Sequence, residues 1–214
     1  SPVRQLRLTG VVGLGVAWAV AAHITSASGE PSGWGAALAL LPLGLALAVG
    51  LRQVPWRSVA VLGALAALTL LVWLWPLLRT QVALLYFVQQ LGIYVMLAAL
   101  FGRSLSGPGE SLVTQMARRL HGGLLTARQA SYTRAVTLAW TLFFLGMGAV
   151  STLLFLLASP ATWSVFANLL GAPLIGLMFV GEFLVRCLVL PPGERSTLAD
   201  AVRAWRQHQS DSAP

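Results

Sequence analysis

The sequence predicts an all-α, polytopic integral membrane protein with six transmembrane helices. Of its 214 residues, 57% are hydrophobic and only 9% are charged, whereas a soluble domain usually has about 25% charged residues. The hydrophobic residues stand in long blocks, and a helix that crosses a bilayer needs about 20 of them. Six such blocks are present, separated by short connections and one long polar stretch.

Polar residues, arginine or proline border each block and define the predicted spans. The spans cover residues 8–24, 34–51, 58–78, 81–101, 135–158 and 163–190. A polar loop, 102–134, separates the fourth span from the fifth, and a polar tail occupies 191–214. In the first span, Gly10, Gly13 and Gly15 predict the close approach of a neighbouring helix. The whole chain is interpreted as a single membrane domain.

All 14 basic residues are arginines, and their distribution predicts the topology. When successive spans alternate in direction, 13 arginines fall on one side and only Arg79 falls on the other. Because arginine accumulates in cytoplasmic loops, both termini and the long loop are predicted to be cytoplasmic. The same distribution accounts for the net charge of +8 without a nucleic-acid partner.

The long loop contains one segment with amphipathic spacing, residues 110–121. One arc of about 140° collects its apolar side chains, which are Leu112, Val113, Met116, Ala117 and Leu120. The other arc carries Ser111, Gln115, Arg118 and Arg119. The pattern predicts a helix in the headgroup layer, where arginine is attracted to anionic lipid. The alternative is ordinary packing of this helix on the surface of the bundle.

The fourth and fifth spans carry polar side chains that are costly to expose to lipid. In the fourth, Tyr86 and Gln90 share a face, and Gln89 is adjacent. They predict either hydrogen bonds between helices or the lining of a ligand site. The fifth span begins with Tyr132, Arg134, Thr137 and Trp140. Arg134 is placed to meet Glu182, Glu110 or a phosphate headgroup, whereas Thr137 is expected to bond back to its own helix.

The sixth span carries Asn168, Glu182 and Arg186. At about 100° per residue, Glu182 and Arg186 are one turn apart on one face, and Asn168 falls within roughly 40° of it. A buried carboxylate needs a partner, and Arg186 or Arg134 is expected to supply it. The functional alternatives for Glu182 are a proton relay, a general base or a counter-ion for a substrate.

No recognised catalytic motif is present, and neither HExxH, CxxC, GxSxG nor a P-loop occurs. The three histidines are scattered, so no metal site or other cofactor is expected.

The second half resembles an uncharacterised family of bacterial inner-membrane proteins, whose genes lie near aryl-polyene and fatty-acid-synthase-like clusters. The resemblance rests on FGRSL (101–105), GESLVTQMAR (109–118), SYTRAVTLAWTLFF (131–144) and WSVFANLLGAPLIGLMFVGEFLVR (163–186). It implies the bacterial inner membrane and a role near acyl-carrier-linked lipid or polyene assembly. It also draws attention to a set of motif positions: Arg103, Glu110, Thr114, Tyr132, Arg134, Thr137, Trp140, Trp163, Asn168, Glu182 and Arg186.

These observations lead to the hypothesis of a cytoplasm-facing polar site between the fourth, fifth and sixth spans. It would handle a lipid, acyl or polyene intermediate, or act as a scaffold for acyl-carrier or synthase components. The predicted substrate- and lipid-binding residues are Tyr86, Gln89, Gln90, Arg103, Glu110, Arg118, Arg119, Tyr132, Arg134, Thr137, Trp140, Asn168, Glu182 and Arg186. The alternative is a small-molecule or proton-coupled transporter, with Pro173 breaking the sixth span near its midpoint. The mostly apolar first three spans argue against that alternative.

Overall fold

The computed structural model describes residues 2–28, 31–53, 55–107, 109–120 and 124–191, so most of the polar tail lies outside the described residues. Within these ranges the regular structure is helical and no strand forms. The helices are α1 (Pro2–Ala27), α2 (Gly33–Arg52), α3 (Arg57–Leu78), α4 (Val82–Ser106), α5 (Leu112–Leu120), α6 (Ala127–Leu157), α7 (Pro160–Ser164) and α8 (Gly171–Val189). A π-helix, Val165–Leu170, joins α7 to α8.

Five segments of the described chain are long and apolar enough to cross a membrane. They are Gly33–Arg52, Val61–Leu78, Val82–Ser106, Ala127–Leu157 and Pro160–Val189. The apolar part of α1, Val12–Ala27, is shorter than these. The all-helical class is therefore confirmed, and five of the six predicted spans coincide with helices long and apolar enough to cross a membrane.

The helix of the fifth span begins eight residues before its predicted start. Gln129 donates its backbone N–H to Thr126 Oγ1 over 3.1 Å, and Thr126 donates its own to Gln129 Oε1 over 2.8 Å. This reciprocal capping box satisfies two backbone donors that a helix start otherwise leaves unpaired. The helix therefore begins at Ala127, where the capping signal lies, and not where the apolar block begins.

Close helix approach occurs at Gly35 and not at the glycines of the first span. A Cβ added at Gly35 would lie 3.0 Å from Thr25 Cβ and 3.1 Å from Val82 Cγ1. Nothing described lies within 4 Å of a Cβ added at Gly10, Gly13 or Gly15. The prediction for those three glycines is therefore wrong. Small residues permit close packing, and in the described chain Thr25, at the end of α1, is where a glycine of another helix comes that near to α1.

The chain divides into two compact units, and α4, α6 and α8 contribute residues to both. The first unit comprises residues 1–91 and 150–172, and the second comprises 92–149 and 173–214. In the core of the first unit, Phe87 stacks on Phe155 with ring centroids 4.2 Å apart. The indole of Trp163, which is fully buried, packs edge-on against both rings.

The core of the second unit is built around Trp140, which is 6% exposed. Its ring lies 4.7 Å from that of Phe179, 5.5 Å from that of Phe144 and 6.3 Å from that of Phe101. These aromatic contacts join α4, α6 and α8, so Trp140 serves as a packing centre in this unit.

The sixth predicted span is not one continuous α-helix. The π-helix interrupts it, and hydrogen bonds from i to i+5 widen the turn. The count of 100° per residue therefore does not apply between Asn168 and Glu182, so their spacing no longer places them on a common stripe. Pro173 is not a break at the midpoint. It lies three residues after the π-helix, in the first turn of α8, and the chain is helical on both sides of it.

Candidate functional site

The predicted site residues fall into two sets, one in each unit. Those of the first unit are Tyr86, Gln89, Gln90 and Asn168. Those of the second unit are Arg103, Glu110, Arg118, Arg119, Tyr132, Arg134, Thr137, Trp140, Glu182 and Arg186. The first set is made of neutral side chains, and the second contains all the charges.

In the first unit, a chain of hydrogen bonds surrounds the π-helix. Gln90 donates Nε2–H to the carbonyl of Ala167 over 3.0 Å and accepts a 2.8 Å bond from Ser151 Oγ. Trp163 donates its indole N–H to the same Ser151 oxygen over 3.1 Å. The chain links α4, α6, α7 and the π-helix. Gln90 therefore forms the hydrogen bonds between helices that were one of its two predicted roles.

The C-terminal end of α1 joins this polar region. Asn168 donates Nδ2–H to Ser26 Oγ over 3.0 Å, and Ser164 Oγ lies 2.8 Å from His23 Nδ1. The end of α1 therefore supplies polar groups to this region, although the first three spans are mostly apolar. The run HITS at 23–26 was the available sequence signal, because three polar residues in four are unusual inside an apolar block.

The other two polar residues of α4 behave differently from Gln90. Gln89 donates Nε2–H to the carbonyl of Ala39 on α2 over 2.7 Å. Tyr86 is 7% exposed, and its hydroxyl makes no hydrogen bond within the part of the chain that the structure describes. Among the described side chains, this hydroxyl is the buried polar atom that lacks a hydrogen-bond partner.

In the second unit, Glu182 is held by Arg186. Arg186 Nη2 lies 2.6 Å from Glu182 Oε2, and Nε donates to Oε1 over 3.0 Å. The Tyr132 hydroxyl adds a 3.0 Å bond to Oε1. The predicted ion pair is thus confirmed with Arg186 as the partner. Arg134 instead donates to the carbonyl of Leu105 over 3.1 Å.

The short helix α5 is attached to α6 through hydroxyl groups. Ser111 and Thr114 lie 2.6 Å apart, Thr114 lies 2.8 Å from Thr133, and Thr137 donates to Ser111 over 3.1 Å. Thr137 is fully buried and also bonds back to the Thr133 carbonyl, as expected. The cluster thus consists of four hydroxyl side chains. Ser111 and Thr133 were missed because hydroxyls in helices usually bond locally.

This attachment determines which edge of α5 is buried. Ser111, assigned to the outward polar arc, is 2% exposed, and Thr114 is 4% exposed. Met116, assigned to the apolar arc, is 57% exposed. The helix therefore turns its hydroxyl edge to α6 and its apolar Met116 outward, because paired hydroxyls can be buried at little cost.

The charges of the second unit are unbalanced. Its described part contains six arginines and two glutamates. Glu110 accepts a 2.7 Å bond from Arg118 Nε, and this hydrogen bond lowers the pKa of Glu110. With Glu182 held by Arg186, both acids have partners. The arginines without a described carboxylate partner are Arg103, Arg119, Arg128 and Arg134, and all four are exposed.

Comparison of the chain with protein-family models, curated proteins and solved structures finds no match. The family resemblance therefore stays a prediction.

Proposed function

We propose that the protein is a multi-pass inner-membrane protein that handles an anionic amphiphile at its cytoplasmic face. The observation that carries this proposal is the set of four exposed arginines without a described acidic partner, here called the arginine surface: Arg103, Arg119, Arg128 and Arg134. In this proposal α1 also crosses the membrane, which brings the number of transmembrane helices to six. Both termini are cytoplasmic, and the arginine surface faces the cytoplasm. The amphiphile is a membrane lipid or an acyl or polyene intermediate.

The chemistry of the arginine surface supports an anionic head group. A guanidinium group is always charged and binds phosphate or carboxylate through two parallel N–H donors. Arg103 lies in the last turn of α4, and Arg134 reaches the Leu105 carbonyl at the same helix end. One guanidinium-bearing side chain thus starts from this end of α4 and the other reaches it from α6, so a single head group can engage both.

The position of α5 supports an amphiphile rather than a soluble anion. Its C-terminal turn carries Arg119, and Met116 is exposed one turn earlier. Arginine beside an outward apolar side chain is typical of a helix that lies in the headgroup layer. The head group would contact the arginines while the tail remains among the apolar helix surfaces.

The proposed role is substrate handling or a scaffold for synthase components. The most enclosed carboxylate of the second unit, Glu182, is occupied by Arg186 and Tyr132. Such a carboxylate has a positioning role, because its lone pairs are already engaged. Acyl-carrier or synthase components are the partners implied by the family resemblance.

The proposal is tested by lipid binding in nanodiscs. The variant Arg103→Gln/Arg134→Gln should lose most of the binding of a phosphate-bearing lipid and its salt dependence. Arg79→Gln is the matched control, because it removes one exposed arginine from the predicted non-cytoplasmic side. Equal loss in the control, or unchanged binding in the double variant, would contradict the proposal.

A transporter is the second candidate. The observation in its favour is the polar chain of the first unit, which brings His23 and Ser26 of α1 to the π-helix. Uptake into proteoliposomes that depends on Asn168 and Gln90 would support transport. Lipid binding without any flux would support the first proposal.

A further inference from the structure

A cavity of about 250 Å³ lies at the end of the first unit where α1 and α3 end and α4 and α7 begin. Its wall includes the hydroxyl side chains of Thr25 and Thr80 and the apolar surfaces of Phe155 and Pro160. Ligand pockets usually have about 300–1,000 Å³, and an apolar cavity of about 150 Å³ accommodates benzene. The cavity is therefore of a size that suits a molecule with about one ring.

The hydroxyl groups of this wall present acceptors. Thr25 Oγ1 donates its proton to the Ala21 carbonyl over 2.9 Å, and Thr80 Oγ1 donates to the Leu77 carbonyl over 2.7 Å. Once the proton is used within the helix or turn, only oxygen lone pairs remain for another molecule. These two oxygens favour a ligand that donates hydrogen bonds, and Gln81, which also lines the cavity, adds an amide that can donate or accept.

The wall also excludes charge. Among the described residues that line the cavity there is no acid, arginine or histidine. An ion that entered would lose hydration without meeting a counter-ion, which is costly in a partly enclosed site. An uncharged ligand is therefore favoured over an ammonium or a carboxylate.

Tyr86 is an independent indication that a hydrogen-bonding partner is missing at this end of the unit. It lies one helical turn after Val82, which lines the cavity, and its side chain adjoins Thr25. Its hydroxyl approaches Thr25 but meets no partner at full hydrogen-bonding geometry within the described chain. Buried polar atoms are nearly always paired, because an unpaired one has lost its hydrogen bonds to water. A polar molecule or a water bound at this end would satisfy the hydroxyl.

We infer that this cavity binds a small uncharged molecule, about one ring in size, that donates hydrogen bonds through hydroxyl groups. The cavity belongs to the first unit and contains none of the residues of the arginine surface. The inference is therefore independent of the function proposed above, and either one can fail alone.

Cysteine protection tests the inference on the full chain in detergent. Leu84 lines the cavity, is 41% exposed and contributes no polar group to the wall. A Leu84→Cys substitution in a Cys187→Ala background is labelled with a methanethiosulfonate reagent, with phenol as the probe. Phenol should slow labelling several-fold. Benzene, which lacks the donor, and benzoate, which is charged, should slow it much less.

The matched control is Trp34→Cys in the same background, because Trp34 is 88% exposed and does not line the cavity. Its labelling should not respond to phenol. Adding Thr25→Val, which removes an acceptor with little change of shape, should weaken the protection of Leu84→Cys. Adding Ala83→Leu, which fills the cavity, should abolish it. Equal protection at both cysteines, no protection at either, or protection by benzene equal to that by phenol would overturn the inference.

Discussion

The two units bury polar side chains in different ways. In the first, neutral amides reach backbone carbonyls on other helices, as Gln89 does at Ala39 and Gln90 at Ala167. In the second, a carboxylate and a guanidinium form a pair, Glu182 with Arg186, completed by Tyr132. The first arrangement joins helices through uncharged hydrogen bonds. In the second, the buried negative charge of Glu182 is neutralised by the positive charge of Arg186.

This difference has energetic consequences. A neutral hydrogen bond between helices in a membrane contributes about 0.6–2 kcal/mol, and losing it leaves a modest defect. A carboxylate in a partly buried site depends on its partner much more strongly, because an unpaired charge there is poorly solvated. The first unit should therefore tolerate single polar losses that the second does not.

The largest effect is expected for Arg186→Met. The substitution leaves Glu182, whose side chain is only 10% exposed, without its cation. We expect a loss of about 2–4 kcal/mol, somewhat below the usual figure for a fully buried pair because the Arg186 side chain is 28% exposed. Unfolding in detergent measures it. The double variant Glu182→Leu/Arg186→Met should recover part of the loss, and no recovery would show that the charge is not the cause.

Gly35→Ala tests whether close backbone contact stabilises the first unit. The new Cβ would lie 3.0 Å from Thr25 Cβ, so α1 or α4 must shift. Such overpacking costs about 1–3 kcal/mol. Gly10→Ala is the matched control, because nothing described lies within 4 Å of its added Cβ. The control should be neutral or slightly stabilising, and equal losses in the two variants would contradict the packing argument.

A smaller effect is expected when a neutral bond of the first unit is removed. Gln90→Leu should cost about 1 kcal/mol, since the bonds to Ala167 and Ser151 are lost together. Because no charge is involved, the loss should be the same at pH 6 and pH 8. A stability loss that differs between the two pH values would contradict the assignment of uncharged hydrogen bonds to the first unit. Melting curves of wild type and variant at both pH values provide the measurement.

The smallest effect concerns the exposed pair of Glu110 with Arg118. Arg118 lowers the pKa of Glu110 in the folded protein. Its contribution is therefore complete above the ordinary glutamate pKa and is lost as the pH falls through the lower, folded value. Glu110→Gln should lie slightly below wild type at pH 7 in thermal stability, and the difference should vanish in acid. A difference that grows in acid would contradict this assignment.

The presence and approximate positions of the long helices could be predicted from composition and block length, but several helix boundaries could not. The start of α6 depends on the reciprocal bonds of Thr126 and Gln129, a local signal that hydropathy does not register. The π-helix had no predicted counterpart. Its placement depends on partners as distant in sequence as Gln90 and Ser26, and one-dimensional spacing contains no information on those contacts.

The candidate site shows the same division. Glu182 and Arg186 were paired correctly because residues four apart on a helix are neighbours whatever surrounds them. The environment of Asn168 was not predicted, since its partner Ser26 lies 142 residues away in the sequence. The burial of Ser111, assigned to the polar arc of residues 110–121, was not predicted either, because the hydroxyls of α6 decide it.

The sequence by itself therefore determined the helical class, five membrane-length helices, the asymmetry of the arginines and the local ion pair. These properties follow from composition and from neighbours along one helix. The tertiary structure decided which glycine is crowded, which neutral groups meet around the π-helix and which edge of α5 is buried. Those outcomes depend on distances between helices, and a side chain's nearest partner on another helix is set by packing rather than by its own position in the chain.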